Sequence, residues 1–207
     1  MSNDKSEYKG KRRILFQLTG SIACYKSCYV LSCLVQSGYD VQVVASKGAL
    51  EFIGRASLEG LTGHPVHVDT FEPGRSMAHI HLAKWADLTI LCPATANAIN
   101  KIAAGIGDDL ISTLFLAHDL TSASTSTRPY LVAPAMNTTM YHHPATQASL
   151  KKLREWGISI LETASGVLAC GDVGEGRLLD PDLIFDEIER ALAPAPARSS
   201  SSSPPSL

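Results

Sequence analysis

The sequence predicts an α/β fold, with a doubly wound, mainly parallel sheet in a single domain. Three observations predict it. Short runs rich in β-branched residues recur along the chain: ILFQL (14–18), VQVVAS (41–46), PVHV (65–68), LTILCP (88–93), YLVAP (130–134) and ISIL (158–161). Most are apolar on both faces, as strands of a buried parallel sheet must be. Between them lie segments of helical periodicity, so strand and helix alternate throughout.

The helical segments carry their own punctuation. IACYKSCYVLSCLVQS (22–37) stops at Gly38, and PATQASLKKLREW (144–156) opens with Pro144 and stops at Gly157. Proline fits the first helical turn, where its missing N–H is not needed, and glycine fits the left-handed residue that ends a helix. Further helices are expected over 47–61, 96–106, 108–118 and 180–193. The segment MAHIHLAKWAD (77–87), read as extended, would put His79 and His81 on one side.

Length and composition bound the rest. The 207 residues are 45% hydrophobic and 18% charged, with a formal net charge of −2. That balance describes a globular chain with no electrostatic bias toward nucleic acid or anionic lipid, and no run of apolar residues is long enough to span a membrane. Residues 1–11 are polar, 12–193 are expected to form the folded domain, and the Pro/Ser-rich stretch 194–207 is expected to be disordered. Five cysteines make no CxxC pair, and with no secretory leader the default is a reducing cytoplasm. No His, Cys and carboxylate spacing suits a metal, so none is expected.

In a doubly wound sheet, ligands bind at the carboxyl ends of the strands. Four loops there have suitable chemistry. Thr19-Gly20-Ser21-Ile22 follows the first strand; it is neither GxGxxG nor a P-loop, and it suits either a mononucleotide phosphate or a plain helix cap. Ser46 follows the second strand, and Thr95-Ala96-Asn97-Ala98 follows LTILCP. These small and polar residues would let a flat ring approach the backbone. Ala135-Met136-Asn137 and Met140 follow YLVAP, where Asn137 can hold a carboxylate or a flavin edge or simply make a turn. The glycine-dense stretch ASGVLACGDVGEGRL (164–178) reads as a loop belonging to a site or lid, with Cys170 inside it.

Taken together, TGSIACYK (19–26), HIHLAKWADLTILCPATANAINKIAAGIGDDLIST (79–113), PAMNTTMY (134–141) and ACGDVGEGRL (169–178) resemble the homo-oligomeric flavin-containing cysteine decarboxylases. Within them, the nearest likeness is to the branch acting on 4′-phosphopantothenoylcysteine in coenzyme A biosynthesis. The resemblance covers about 12–185 in the right order. It implies a Rossmann-like flavoprotein fold with FMN as cofactor. The cysteinyl thiol end is oxidised, CO₂ leaves to give an enethiol, and the electrons return, so the net reaction is redox-neutral.

Carried onto this sequence, the resemblance assigns FMN binding to Gly20, Ser21, Ile22, Ser46, Thr95, Ala96, Asn97, Ala98 and Ala135. Substrate binding falls to Asn137, Met140 and Ala169, and catalysis to His79 and to Cys170 as proton donor to the enethiol. Lys84 matches a basic position of the family motif, and an exposed helix lysine would look the same. The resemblance also implies a trimer, or a dodecamer built from trimers, with sites between subunits. PATANA stands where the family often has PASANT, and Ala98 lacks the last hydroxyl; Tyr141 stands where some members have Trp. The synthetase domain of the bacterial fused enzyme has no counterpart, so a stand-alone decarboxylase is expected. Rival readings are a peptidyl-cysteine decarboxylase acting on a ribosomal peptide, a flavin prenyltransferase and a regulatory phosphatase subunit. The prenyltransferase lacks the PAMN and ACGD pair, and the regulatory subunits carry acidic tails.

Overall fold

The computed structural model describes residues 11–70, 78–120, 128–167 and 173–193. Five strands, β1 (Arg13–Leu18), β2 (Asp40–Ala45), β3 (Leu88–Ala94), β4 (Tyr130–Pro134) and β5 (Ser159–Ile160), form one parallel sheet in the order β2-β1-β3-β4-β5. Each strand's alternate side chains enter opposite faces. Ile14, Phe16 and Leu18 pack with α1 (Cys24–Gln36), α3 (Arg55–Thr62) and α9 (Pro181–Leu192), while Leu15 packs on the other side with α4 (Ala78–Trp85), α5 (Ala96–Ala104), α6 (Leu110–Leu116) and α8 (Pro144–Glu155). Both faces are covered, which explains why these strands are apolar throughout. Truncating a side chain as deep as Leu31 of α1 to Ala would cost about 2–5 kcal/mol.

Three expectations about strands and helices are corrected. Residues 65–68 do not form a strand; they touch β2 through a single parallel bridge between His67 and Val44. Pro65 has no N–H for a ladder there, and the His64 imidazole is drawn onto Asp40 at 2.8 Å. The segment 79–85 is helical rather than extended, so His79 and His81 lie on different faces of α4. The single helix expected over 47–61 is two, α2 (Lys47–Leu50) and α3, because Gly54 takes an extended conformation as the N-cap of α3.

The glycine-dense stretch is not simply a loop. Its described parts are β6 (Ala164–Val167) and β7 (Val173–Arg177), an antiparallel pair outside the main sheet. Gly166 and Gly176 sit at φ +147° and +101°, where side-chain-bearing residues are strained. Inside PAMNTTMY a short helix, α7 (Thr138–His142), was also not expected.

Candidate functional site at the carboxyl edge

The strand order reverses between β1 and β3, and at such a switch point the helices leave on opposite faces and open a crevice. Thr19, just beyond β1, ties the two strand ends together. Its backbone N–H and its Oγ1 both donate to the Pro93 carbonyl, at 3.2 and 2.6 Å, and the same Oγ1 accepts from Thr95 N at 3.0 Å. Beside this tie lies a cavity of about 730 Å³. Gly20, Ser46, Thr95, Asn97, Ala98 and Met140 line it, six of the residues singled out from sequence and drawn from four separate loops.

Local chemistry explains the positions. Ser46 caps α2 by accepting from Ala49 N at 3.1 Å, and Thr95 caps α5 by accepting from Ala98 N at 3.4 Å. The first loop is different. Ser21 Oγ accepts from Ala23 N at 3.2 Å, yet α1 has no side-chain cap. Among the described residues no acceptor meets the backbone N–H of Gly20, Ser21 or Ile22. Successive unbonded N–H groups at the start of a 13-residue helix form a site for an anion. The loop also lies close to its neighbour, since a Cβ on Gly20 would stand 3.0 Å from the backbone carbon and oxygen of Gly48. A side chain at position 20 would press the two backbones apart.

Sequence reasoning missed the rest of the lining, made by Lys47, Gly48, Val68, Asp69 and Thr70 with Asp108 to Ser112. Asp109 and Ser112 form a reciprocal capping box at the start of α6, and Lys101 reaches Asp108 at 2.6 Å and Asp109 at 3.0 Å. Burial alone would raise the Asp109 carboxyl, but the Ser112 N–H and Lys101 outweigh it and hold it below the ordinary value. The DD doublet was visible in the sequence, but nothing there showed that it faced the cavity.

The remaining candidates lie elsewhere. Ala96 and Ala135 are buried behind the lining, with Ala135 N donating to Ala94 O at 3.0 Å, and Ile22 is exposed on the first loop. Asn137 caps α7, its Oδ1 accepting from Thr139 N at 2.8 Å and Met140 N at 3.4 Å. His79, half-buried in α4, does not line the cavity, and its buried Nδ1 has no hydrogen-bond partner. Lys84 is exposed in the last turn of α4. Ala169 and Cys170 lie outside the described residues. Among the described residues no three His, Cys, Asp or Glu side chains are grouped to hold a metal, and no helix is long and apolar enough to cross a membrane.

A parallel sheet wound on both faces, with an anion-seeking loop at its switch point, defines a nucleotide-type ligand-binding protein. The chain belongs to the Flavoprotein family, whose model matches residues 2–193. It is 41% identical over 184 residues to the coenzyme A biosynthesis bifunctional protein CoaBC of Bacillus subtilis, covering 88% of this chain and 43% of that protein. The Escherichia coli CoaBC is 42% identical over 177 residues, 84% of this chain and 42% of its own length. The chain therefore spans less than half of these curated relatives. Among solved structures, a PPC decarboxylase mutant complexed with pantothenoylaminoethenethiol superposes with TM-score 0.73 at 31% identity, covering 87% of this chain and 97% of that one. The FMN binding protein AtHal3 superposes with TM-score 0.73 at 32% identity over 88% of this chain and 97% of its own.

Proposed function

We propose that the protein is an FMN-dependent decarboxylase that converts 4′-phosphopantothenoylcysteine to 4′-phosphopantetheine in coenzyme A biosynthesis. The observation that carries this reading is the likeness, over 87% of this chain and 97% of that one, to a PPC decarboxylase mutant complexed with pantothenoylaminoethenethiol. The loops fit the cofactor: the unbonded N–H groups of Gly20, Ser21 and Ile22 suit the FMN phosphate, and the glycine contact brings two loops close enough to receive a flat ring. Ser46, Thr95, Ala96, Asn97, Ala98 and Ala135 complete that proposed binding set.

When bound, FMN supplies the two-electron acceptor and donor that loss of CO₂ from a cysteinyl carboxyl requires. The chain's own groups bind and move protons around it. Asn137 directs its amide at the substrate carboxylate, its rotamer held by the two N–H groups it caps. Met140 and Ala169 contact the substrate. His79, whose Nδ1 is buried and unpartnered, handles a proton at the reacting thiol end. Cys170 protonates the enethiol, a role suited to a thiol with a reference pKa of roughly 8.5, protonated at neutral pH.

His79 does not line its own chain's cavity, which favours an assembly, a trimer or a dodecamer of trimers, in which a second copy completes each site. We place the protein in the cytoplasm, where such a cysteine-dependent reaction stays reduced. The second reading, a peptidyl-cysteine decarboxylase, draws on the likeness to the FMN-dependent cysteine decarboxylase SpaF, TM-score 0.71 at 29% identity. Incubating FMN-loaded protein in parallel with 4′-phosphopantothenoylcysteine and a cysteine-ending peptide, and weighing the products, decides between them. Loss of 44 Da, the mass of CO₂, from the first substrate alone is expected. Loss from the peptide alone overturns the proposal.

A further inference from the structure

Strand β7 lies against the segment that carries Asn137, and it holds the residue on either side. Met136 N–H donates to the Gly176 carbonyl at 2.8 Å, and Thr138 Oγ1 donates to the Glu175 carbonyl at 2.8 Å. The fit leaves no room for a side chain at positions 174 and 176. A Cβ on Gly176 would stand 2.7 Å from Met136 O, and one on Gly174 would stand 2.5 Å from Thr138 Oγ1 and 3.0 Å from its Cγ2. The two glycines of VGEGR are thus contact surfaces: Thr138 fills the space that Gly174 leaves, and the Met136 carbonyl the space at Gly176. His142 Nε2 and Glu175 Oε2 add a contact at 3.3 Å, both side chains half-exposed and contributing little.

We infer that β7 is the template that fixes the backbone from which the Asn137 amide projects, with Thr138 as the positioning residue that locks it. The inference rests on the reading of Asn137 as the substrate-carboxylate contact. Asn137 sits between two anchored neighbours, and its own Oδ1 is engaged in capping α7. Its backbone and its rotamer are therefore fixed separately, the first by β7 and the second by the helix. Substrate meets a pre-oriented amide, and the ordering cost is met in folding rather than in binding. Threonine suits the position because its hydroxyl makes the tie while its methyl packs on Gly174.

The test uses FMN-loaded protein and two readouts, steady-state kinetics with 4′-phosphopantothenoylcysteine and amide hydrogen exchange over residues 136–141. Thr138→Val keeps the shape and loses the donor. It should raise KM about 10-fold with kcat within about 2-fold and FMN content unchanged, the signature of lost substrate binding. Thr138→Ser should restore KM to within about 2-fold, and exchange over 136–141 should quicken about 10-fold in Val but not in Ser. Gly174→Ala should act like Val, while Thr138→Ala/Gly174→Ala should exchange no faster than Thr138→Ala alone, since the new methyl enters vacated space. An unchanged KM in Val, unchanged exchange, or independent penalties in the double variant each overturn the inference, and a Val effect confined to melting temperature reduces Thr138 to a structural role. If the wild type leaves the substrate untouched, the proposed function fails while the exchange comparison still decides whether the clasp exists.

Discussion

The two sides of the carboxyl edge are built by different means. At β1, β2 and β3 the loops are held by strand ends and helix caps, with Thr19 bridging Pro93 and Thr95 and with Ser46 and Thr95 capping the helices that follow. Around Asn137 the loop is held from outside, by an antiparallel strand that lies across it through glycines. The first arrangement is local and follows from the sheet; the second depends on a segment some 40 residues further along the chain. We propose that the first side keeps the cofactor and the second positions the substrate, so damage to one should spare the function of the other.

The largest effect should come from glycine substitutions that separate the two. Gly20→Val pushes a branched side chain into the Gly48 backbone, which already stands 3.0 Å from where a Cβ would lie. We expect purified Gly20→Val to be colourless and to take up FMN at least about 100-fold more weakly, because one loop is tied at Thr19 and the other is held by the Ser46 cap of α2, so neither can withdraw freely. Gly176→Ala, strained at φ +101° and blocked by Met136 O, should stay yellow and lose turnover. Absorbance near the flavin bands reads the first quantity and product mass the second. If both variants lost FMN equally, the division of labour would be wrong.

Next in size is a chemical split on the substrate side. Cys170→Ser should retain FMN and release CO₂ while accumulating the enethiol, with the fully reduced thiol product down by about 100-fold or more, as expected for loss of a proton donor. Normal thiol product from this variant would remove Cys170 from the proposed mechanism. On the cofactor side, Thr19→Val leaves the Thr95 N–H without its hydroxyl partner and the Pro93 carbonyl with only the Thr19 backbone N–H. That should cost about 1–3 kcal/mol of stability and weaken FMN binding, with KM for substrate unchanged in the fully loaded fraction. A shift in KM as large as the shift in FMN affinity would show that the two sides are coupled.

The same contrast explains what was legible in the sequence. The parallel strands announced themselves as apolar runs, and the cap residues Ser46 and Thr95 lie one residue beyond a strand, so the cofactor side could be read locally. The segment 65–68 has strand composition, but Pro65 and the pull of Asp40 on His64 limit it to one bridge, an effect outside any local window. Helix α4 hid because HIHLA alternates polar and apolar residues, a pattern with the strand period. The hairpin hid more completely. Glycine depletes every strand scale, yet at 174 and 176 it is present because Thr138 and Met136 occupy the space a side chain would need. Only the three-dimensional neighbour gives those glycines a reason.

The smallest expected effect tests the opposite edge of the sheet, where neither region reaches. Arg13 donates to Asp87 from its backbone N–H at 2.9 Å and from Nη2 at 2.9 Å, tying the start of β1 to the residue before β3. Burial alone would raise the Asp87 carboxyl, but the hydrogen bonds from Arg13 outweigh it and hold the group below its ordinary value of 3.8. The native state therefore binds this proton less readily than the unfolded chain does, so the pair stabilises the fold above that ordinary value and the contribution fades as pH falls through the depressed one. Both side chains are a third or more exposed, so the contribution is at the surface scale of roughly 1 kcal/mol or less. Asp87→Asn should lower the melting temperature slightly at pH 7, flatten the fall in stability as pH drops below about 4, and leave FMN content and KM unchanged. Thermal melts across that range read the slope; an acid limb identical to the wild type's would mean the ion pair contributes nothing, and a loss of FMN would mean that the amino edge transmits to the cofactor side through β1.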